Sequence, residues 1–87
     1  MPYAIRYLRR AAKDRDRLPN DVRRRVEARL NELAHDPRPP GSRKLTGIDG
    51  YRLRVGDWRV IYAVDDASHV ITIDRIAHRR EVYDRAR

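Results

Sequence analysis

The stretch YRLRVGDWRVIY, residues 51–62, decides the fold. Apolar residues and arginines alternate on both sides of its centre, which is the period of a strand with one buried face. The central Gly56-Asp57 pair is typical of a tight hairpin turn. The stretch therefore predicts two antiparallel strands, residues 51–55 and 58–64, with arginines on one face. Guanidinium groups on one face repel each other unless a polyanion lies between them.

The residues on either side of this hairpin predict further strands. A turn at 65–68 precedes a third strand at 69–76, and a short helix closes the chain. Before the hairpin, residues 44–47 predict a short strand or the approach to one. Residues 36–42 include Pro37, Pro39, Pro40 and Gly41, which cannot continue a helix and predict an extended connector.

The N-terminal half is predicted to be helical after one strand. Residues 3–8 alternate like a strand. Helices are predicted at 9–18 and 21–35, with Asn20 capping the second through its side-chain oxygen. One apolar stripe on that helix consists of Val22, Val26, Leu30 and Leu33. The order predicts a single α+β domain over residues 1–87: an N-terminal strand, a helical hairpin covering one sheet face, an antiparallel meander of three to four strands and a short C-terminal helix.

The charge balance of the chain indicates its class of partner. Lys and Arg number 21 against 13 Asp and Glu, a net charge of +8 on 87 residues. This excess favours a nucleic-acid or ribosomal partner first and an acidic protein second. The chain has no cysteine, which excludes disulfides and thiolate metal sites. No apolar run approaches membrane-spanning length and the start lacks a signal region, so we expect a cytoplasmic protein without a membrane partner.

Three motifs carry a resemblance to a known family: KLTG at 44–47, YRLRVGDWRVIY at 51–62 and IAHRREVY at 76–83. In this order they resemble the RelE branch of the RelE/ParE toxin superfamily, and the similarity extends over nearly the whole chain. It implies a microbial-RNase-like fold and a ribosome-dependent endoribonuclease that cuts mRNA in the ribosomal A site. In that reaction the ribose 2′-hydroxyl attacks the adjacent phosphate, and neither a metal nor a cofactor takes part.

The resemblance also implies which residues form the site. Arg59 and Arg79 match the phosphate-stabilising arginines of the family, Arg52 and Arg54 match two cationic strand positions, and Tyr83 matches a tyrosine that stacks on a base or orients the nucleophile. Lys44, Trp58 and Arg80 join Arg52 as candidate RNA-binding residues.

Two departures from the family concern proton transfer. The positions of Arg52 and Arg54 hold lysines in the best-known relatives, and an arginine cannot give up its proton. Arg54 is therefore a poor general base. His78 is the alternative, because its ordinary pKa suits proton transfer at neutral pH.

Each candidate also has a structural interpretation. Arg52 and Arg54 suit the solvated face of an amphipathic strand, and Arg59 suits stacking on the Trp58 indole. His78 suits a cap on the final helix. Trp58 also belongs to the expected sheet core, together with Val60, Ile61, Tyr62, Ile71 and Ile73.

The resemblance implies partners and leaves alternatives. A RelB-like antitoxin would cover the basic groove or displace the last helix, and their complex would bind operator DNA. The ribosome and mRNA are the expected targets. A ParE-like inhibitor of DNA gyrase keeps the same fold, and a non-catalytic basic module would act only with an antitoxin as corepressor.

Overall fold

A five-stranded sheet carries the arginine-bearing hairpin at its centre and two helices on one face. The computed structural model describes residues 1–81. The sheet order is β1-β5-β4-β3-β2. The elements are β1 (Ala4–Tyr7), α1 (Arg9–Asp16), α2 (Asn20–His35), β2 (Ser42–Lys44), β3 (Tyr51–Val55), β4 (Trp58–Asp65) and β5 (Val70–His78). The predicted α+β class is confirmed.

The central hairpin forms as its sequence predicts. Val55 pairs with Trp58 across β3 and β4, which leaves Gly56 and Asp57 as a two-residue turn. Gly56 has a φ of +59°, whereas Asp57 is not among the residues with positive φ. Positive φ at the first turn residue alone is the type II′ pattern, for which glycine is suited because it lacks a Cβ.

The sheet is mixed rather than a simple meander. β2, β3, β4 and β5 pair antiparallel in succession, and β1 pairs parallel to β5, with Ile5 opposite Ile71 and Tyr7 opposite Ile73. Parallel neighbours require a long connection, which here contains both helices and the antiparallel strands that follow. The N-terminal strand therefore reaches the sheet edge opposite β2.

The core lies between the helices and one face of the sheet. The α2 stripe of Val22, Val26, Leu30 and Leu33 is buried as predicted. It clusters with alternate residues of the central strands, among them Leu53, Val60, Tyr62, Ile71 and Ile73. Because strand side chains alternate between faces, their neighbours in sequence lie on the open face of the sheet.

Helix α1 closes the part of β5 that β1 does not reach. Parallel pairing with β1 involves β5 only from Val70 to Ile73. Beyond it, Asp14 accepts hydrogen bonds of 2.9 Å from the backbone N–H of Ile76 and from Nε of Arg75. These bonds occupy a strand edge that would otherwise be open to pairing with another chain.

Several predicted boundaries need correction. Asn20 is the first residue of α2 rather than its cap, and its side-chain oxygen accepts a hydrogen bond from the Arg23 guanidinium. β2 begins at Ser42, two residues before the expected start at Lys44. β5 continues to His78 rather than ending at Ile76.

The C-terminal helix is only partly described. Residues 79–81 are helical, and the remainder of the predicted helix, including Tyr83, lies outside the described residues. Within the described part, neither helix is long and apolar enough to cross a membrane.

Candidate functional site

The open face of the sheet bears a cleft of about 400 Å³ at the β2–β3–β4 end. Gly41 and Ser42 form one wall, and every other lining residue is an arginine. We call this set the arginine cleft: Arg43, Arg52, Arg54 and Arg59. The expectation that guanidinium groups share one sheet face is confirmed for Arg52, Arg54 and Arg59, and Arg43 joins them.

Strand register places the four arginines in two cross-strand pairs. Arg43 lies opposite Arg52 across β2 and β3, and Arg54 lies opposite Arg59 across β3 and β4. Directly opposite side chains have Cβ atoms roughly 4.5–5.5 Å apart, and like charges there are destabilising. An anion bound between the pairs would relieve this repulsion.

Arg59 is fixed at the bottom of the cleft. Its side chain is only 5% exposed. Nη1 donates hydrogen bonds of 2.9 Å to the backbone carbonyls of Gly56 and Trp58, both in or beside the hairpin turn. Carbonyl dipoles orient the guanidinium without cancelling its charge, and a buried charge is costly without a counterion. Arg59 is thus a preorganised cation for a bound anion.

Arg43 and Arg54, which line the cleft, have no neutralising partners in the described part of the chain. Within residues 1–81, neither guanidinium makes an ion pair or hydrogen bond. Both side chains are exposed at the rim. Two solvated cations beside the buried Arg59 favour binding of a phosphate group, because guanidinium donors match phosphate oxygens in geometry and charge.

Arg79 and Arg80 directly follow the end of β5, beside the hairpin turn. The Arg79 backbone N–H donates to the Asp57 carbonyl at 2.8 Å, which extends the β4–β5 ladder by one residue. Its guanidinium lies 3.9 Å from the Asp57 carboxylate, and both side chains are largely exposed. Arg80 is also exposed. The structure therefore places Arg79 at the turn to which Arg59 is bonded, outside the cleft lining.

His78 and Trp58 lie on the opposite side of the sheet from the arginine cleft. They face each other across β4 and β5, in register with the core pair Val60 and Ile76. Their rings meet edge to face with centroids 5.4 Å apart. The structure does not bring either residue together with Arg59. The Arg59 side chain extends from β4 on the open face of the sheet.

His78 also makes the contact expected of a helix cap. Its Nδ1 accepts a hydrogen bond of 3.4 Å from the backbone N–H of Arg80, the second residue of the closing helical turn. This is the structural interpretation offered from the sequence. Trp58 is only partly buried and packs against the core cluster, and Ile61 is likewise partly buried rather than core.

Lys44, a predicted RNA-binding residue, is not among the residues that line the cleft, whereas Arg43, for which the sequence predicts no role, lines it. Lys44 pairs with Tyr51 and so shares the helix-facing side, whereas Arg43 pairs with Arg52 on the open face. Arg43 is not among the site residues predicted from the sequence, because β2 was expected to begin at Lys44. Ser42, Arg43 and Lys44 are all polar and follow two prolines and Gly41, so no alternation marks them as a strand.

A polar cluster holds the connector against the sheet before it reaches the cleft. Arg38 donates to the Tyr51 hydroxyl at 2.8 Å and to the Asp66 carboxylate at 2.9 Å, and the Tyr3 hydroxyl donates to Asp66 at 2.6 Å. The Arg38 guanidinium, followed by the Tyr3 hydroxyl, lowers the pKa of Asp66 below its ordinary value of 3.8. The Tyr62 hydroxyl donates to the Pro37 carbonyl at 2.7 Å. These bonds set the path of the chain into Gly41 and Ser42.

The described residues offer no assembled metal-ligand set. Within 1–81, no three His, Asp or Glu side chains form a group that could hold a metal ion. The chemistry available in the cleft is that of fixed positive charge and guanidinium hydrogen bonds.

Comparison with known proteins places this chain among the toxins of type II toxin–antitoxin systems. A family model described as the ParE toxin of the type II toxin–antitoxin system parDE matches residues 5–83. Toxin RelG of Mycobacterium tuberculosis is 32% identical over 89 residues, covering 98% of this chain and 100% of RelG. The chain belongs to the RelE/ParE family of type II toxins and is RelE-like.

Solved structures show the same likeness in three dimensions. A mutant of Escherichia coli RelE in the free state matches with a TM-score of 0.79 and 28% identity, covering 99% of this chain and 95% of RelE. An archaeal RelE–RelB complex from Pyrococcus horikoshii matches with a TM-score of 0.77 and 31% identity, covering 91% of this chain and 97% of the matched one. The predicted resemblance to RelE is confirmed.

Proposed function

We propose that this toxin is a ribosome-dependent endoribonuclease that cuts mRNA in the A site and thereby inhibits translation. The observation that carries the proposal is the arginine cleft, where Arg59 is buried without a carboxylate partner and two rim arginines have no partner within residues 1–81. Such a set is suited to a phosphodiester, and the RelE-like fold supports mRNA as its source.

The reaction needs no group beyond the RNA, the protein and proton carriers. The ribose 2′-oxygen attacks the adjacent phosphorus and the bond from phosphorus to the 5′-oxygen breaks. The products are a 2′,3′-cyclic phosphate and a free 5′-hydroxyl. One proton leaves the 2′-hydroxyl and one is delivered to the departing 5′-oxygen. Since the substrate supplies the nucleophile, the proposed mechanism is independent of metal.

The cleft arginines contribute charge and orientation. Negative charge grows on the non-bridging oxygens as the phosphorane forms, and preorganised cations there stabilise the transition state more than the substrate. Arg59 acts as the fixed donor, and Arg54 faces it from the neighbouring strand. Arg52 and Arg43 hold the backbone on the β2 side, and Arg79 approaches the phosphate from the hairpin turn. Bound in this way, the RNA can be turned in line for attack.

Proton transfer requires groups other than the cleft arginines. The cleft arginines remain protonated at neutral pH and cannot serve as bases. His78 lies on the helix-facing side of the sheet, and this position favours a capping role. Tyr83, outside the described residues, stays a candidate for orienting the nucleophile.

A RelB-like antitoxin is the proposed regulatory partner. RelE and RelB of Pyrococcus horikoshii form a complex. We propose that an equivalent partner presents carboxylates to the arginine cleft, which is the charge complement of the exposed Arg43 and Arg54. The complex would then bind operator DNA.

The test uses translating ribosomes and the intact chain. Purified toxin is incubated with ribosomes stalled on a defined mRNA, and the new RNA ends are mapped and their chemistry assigned. The proposal predicts cuts within the A-site codon, 2′,3′-cyclic phosphate ends, and undiminished cleavage by the control Arg10→Ala. Intact mRNA at saturating toxin contradicts it.

One observation favours a second candidate function. The matching family model is described as a ParE toxin, and a ParE-like protein would act on DNA gyrase. A supercoiling assay with purified gyrase separates the two, since inhibition of gyrase without mRNA cleavage identifies the second function. If the protein neither cuts mRNA nor inhibits gyrase, but binds operator DNA together with the antitoxin, it is a corepressor.

A further inference from the structure

A second positively charged groove adjoins the arginine cleft on the helical side of the molecule. It has a volume of about 410 Å³ and lies between α2 and the β3–β4 hairpin. The residues lining it are Arg25, Ala28, Arg29, Arg54, Val55 and Gly56. We call it the α2 groove.

Arg54 joins the two cavities. It lines both the arginine cleft and the α2 groove. A strand bound in the cleft can therefore continue past Arg54, around the end of β3, without leaving positively charged surface. Within the described part of the chain, every charged residue that lines either cavity is an arginine.

Arg25 is the distinctive group in the α2 groove. Its guanidinium lies over the hairpin turn, because a Cβ built on Gly56 would be 3.4 Å from Arg25 Nη1. Within residues 1–81 this guanidinium has no ion pair or hydrogen bond. Arg29 differs: it pairs with Glu32 at 2.6 Å and donates to the Pro40 carbonyl at 3.3 Å. Besides the shared Arg54, Arg25 is thus a cation of the groove that has no partner within residues 1–81 and is ready to bind an anion.

We propose that the α2 groove binds a phosphate of the substrate RNA strand flanking the scissile phosphate, with Arg25 as its contact. The inference rests on the proposed function for the identity of the strand as RNA. The continuity through Arg54 favours the strand already in the cleft over ribosomal RNA. The toxin would then hold its substrate at two points on either side of the hairpin turn.

The test measures binding of RNA of increasing length. The probes are fluorescein-labelled 2′-O-methyl oligouridylates of two, four, six and eight nucleotides, which cannot be cleaved because the 2′-oxygen is blocked. Anisotropy titrations compare wild type, Arg25→Gln and the matched control Arg24→Gln, an exposed arginine on the same helix that lines neither cavity.

The expected result is a loss confined to the longer probes. Wild type and Arg24→Gln gain roughly 5- to 10-fold in affinity once the oligonucleotide reaches the α2 groove, and Arg25→Gln loses this gain while binding the dinucleotide normally. On the octanucleotide, the slope of log affinity against log salt should become shallower by about 0.7, the loss of one single-strand phosphate contact.

Three outcomes overturn the proposal. In the first, Arg25→Gln follows the wild-type length series or weakens every probe equally. In the second, wild type binds none of the probes. In the third, Arg25→Gln weakens binding to ribosomes without mRNA as much as to programmed ribosomes, which would assign the groove to ribosomal RNA. A length-dependent Arg25 effect without A-site cleavage would instead leave this inference standing and remove the proposed function.

Discussion

The arginines along the α1–β5 edge and those of the cleft differ in the groups that surround them. At the edge, Arg75 bonds Asp14 at 2.9 Å, with side chains only 18% and 15% exposed. Arg10 at the same edge bonds Asp74. In the cleft, Arg59 bonds only to carbonyls, and Arg43 and Arg54 have no partner within residues 1–81.

The difference separates arginines that support the fold from arginines that await a ligand. The chain has 13 acidic residues. Some of them bond arginines along the α1–β5 edge, where they help to close a strand edge that would otherwise be exposed. None of the acidic residues within 1–81 lines the cleft. Within residues 1–81 no carboxylate neutralises Arg43, Arg54 or Arg59, and this charge is consistent with the polyanion proposed to bind in the cleft.

The largest effect is expected from removing the buried cleft cation. Arg59→Ala should lower single-turnover mRNA cleavage on saturated ribosomes by about 100- to 1,000-fold, since a preorganised transition-state contact is typically worth about 3–4 kcal/mol. Arg10→Ala should cleave at the wild-type rate. Circular dichroism of both variants checks the fold, and equal cleavage by folded Arg59→Ala would remove the distinction between the two regions.

The converse change breaks the edge and spares the cleft. Asp14→Ala leaves Arg75 and the Ile76 N–H without their acceptor, and loss of one member of a largely buried pair should destabilise the fold by roughly 2–3 kcal/mol. The melting temperature should fall by about 10–20 °C. Asp16→Ala is the control, because Asp16 is 69% exposed and lies 3.4 Å from Arg15. A melting temperature unchanged by Asp14→Ala would show that this edge does not depend on the pair.

A rim arginine should affect binding more than an ion-paired one. Arg43→Ala is expected to weaken binding of 2′-O-methyl RNA by roughly 5-fold and to make the salt slope shallower by about 0.7. Arg10→Ala, already paired with Asp74, should change neither quantity by a comparable amount. Equal losses in the two variants would mean that the whole positive surface binds RNA without a defined cleft.

Replacing His78 tests whether a residue on the helix-facing side of the sheet takes part in catalysis. Because His78 packs on Trp58 and caps the closing helical turn, His78→Gln should reduce cleavage less than about 3-fold and leave the pH profile between about 6 and 7 unchanged. A fall of about 100-fold together with a changed pH profile would instead restore His78 as the proton carrier expected from the sequence.

The smallest effect concerns the polar cluster of Arg38, Tyr3 and Asp66. The lowered pKa of Asp66 means that its ionised form is favoured by folding, so the stabilisation is complete above its ordinary value of 3.8 and is lost as pH falls through the lowered value. Asp66→Asn should therefore melt slightly below wild type at pH 7, and the difference in melting temperature should close as the pH falls through the lowered pKa. A gap that is constant with pH would show that the carboxylate charge is not involved.

Local patterns in the sequence predicted most of this architecture. The alternation around Gly56 gave the hairpin and its arginine face, and the spacing of Val22, Val26, Leu30 and Leu33 gave the buried stripe of α2. Both are periodicities within one element. The parallel pairing of β1 with β5 is missing from that prediction because it joins residues more than sixty positions apart, which no local pattern reports.

The site was harder to predict because one residue of register changes the face. Placing β2 at Ser42–Lys44 moves Arg43 into the cleft and Lys44 out of it. Extending β5 to His78 fixes that ring opposite Trp58, on the far side from Arg59. Asn20 was assigned as a cap from its type alone, and the Arg23 guanidinium occupies its oxygen instead.

The most direct test of the central claim is a crystal structure of the toxin with a 2′-O-methyl trinucleotide. We predict a phosphate within hydrogen-bond distance of Arg54 and Arg59, in the cleft on the open face of the sheet. A phosphate bound instead beside Arg10 or Arg75, with the cleft arginines making no contact to RNA, would contradict the account.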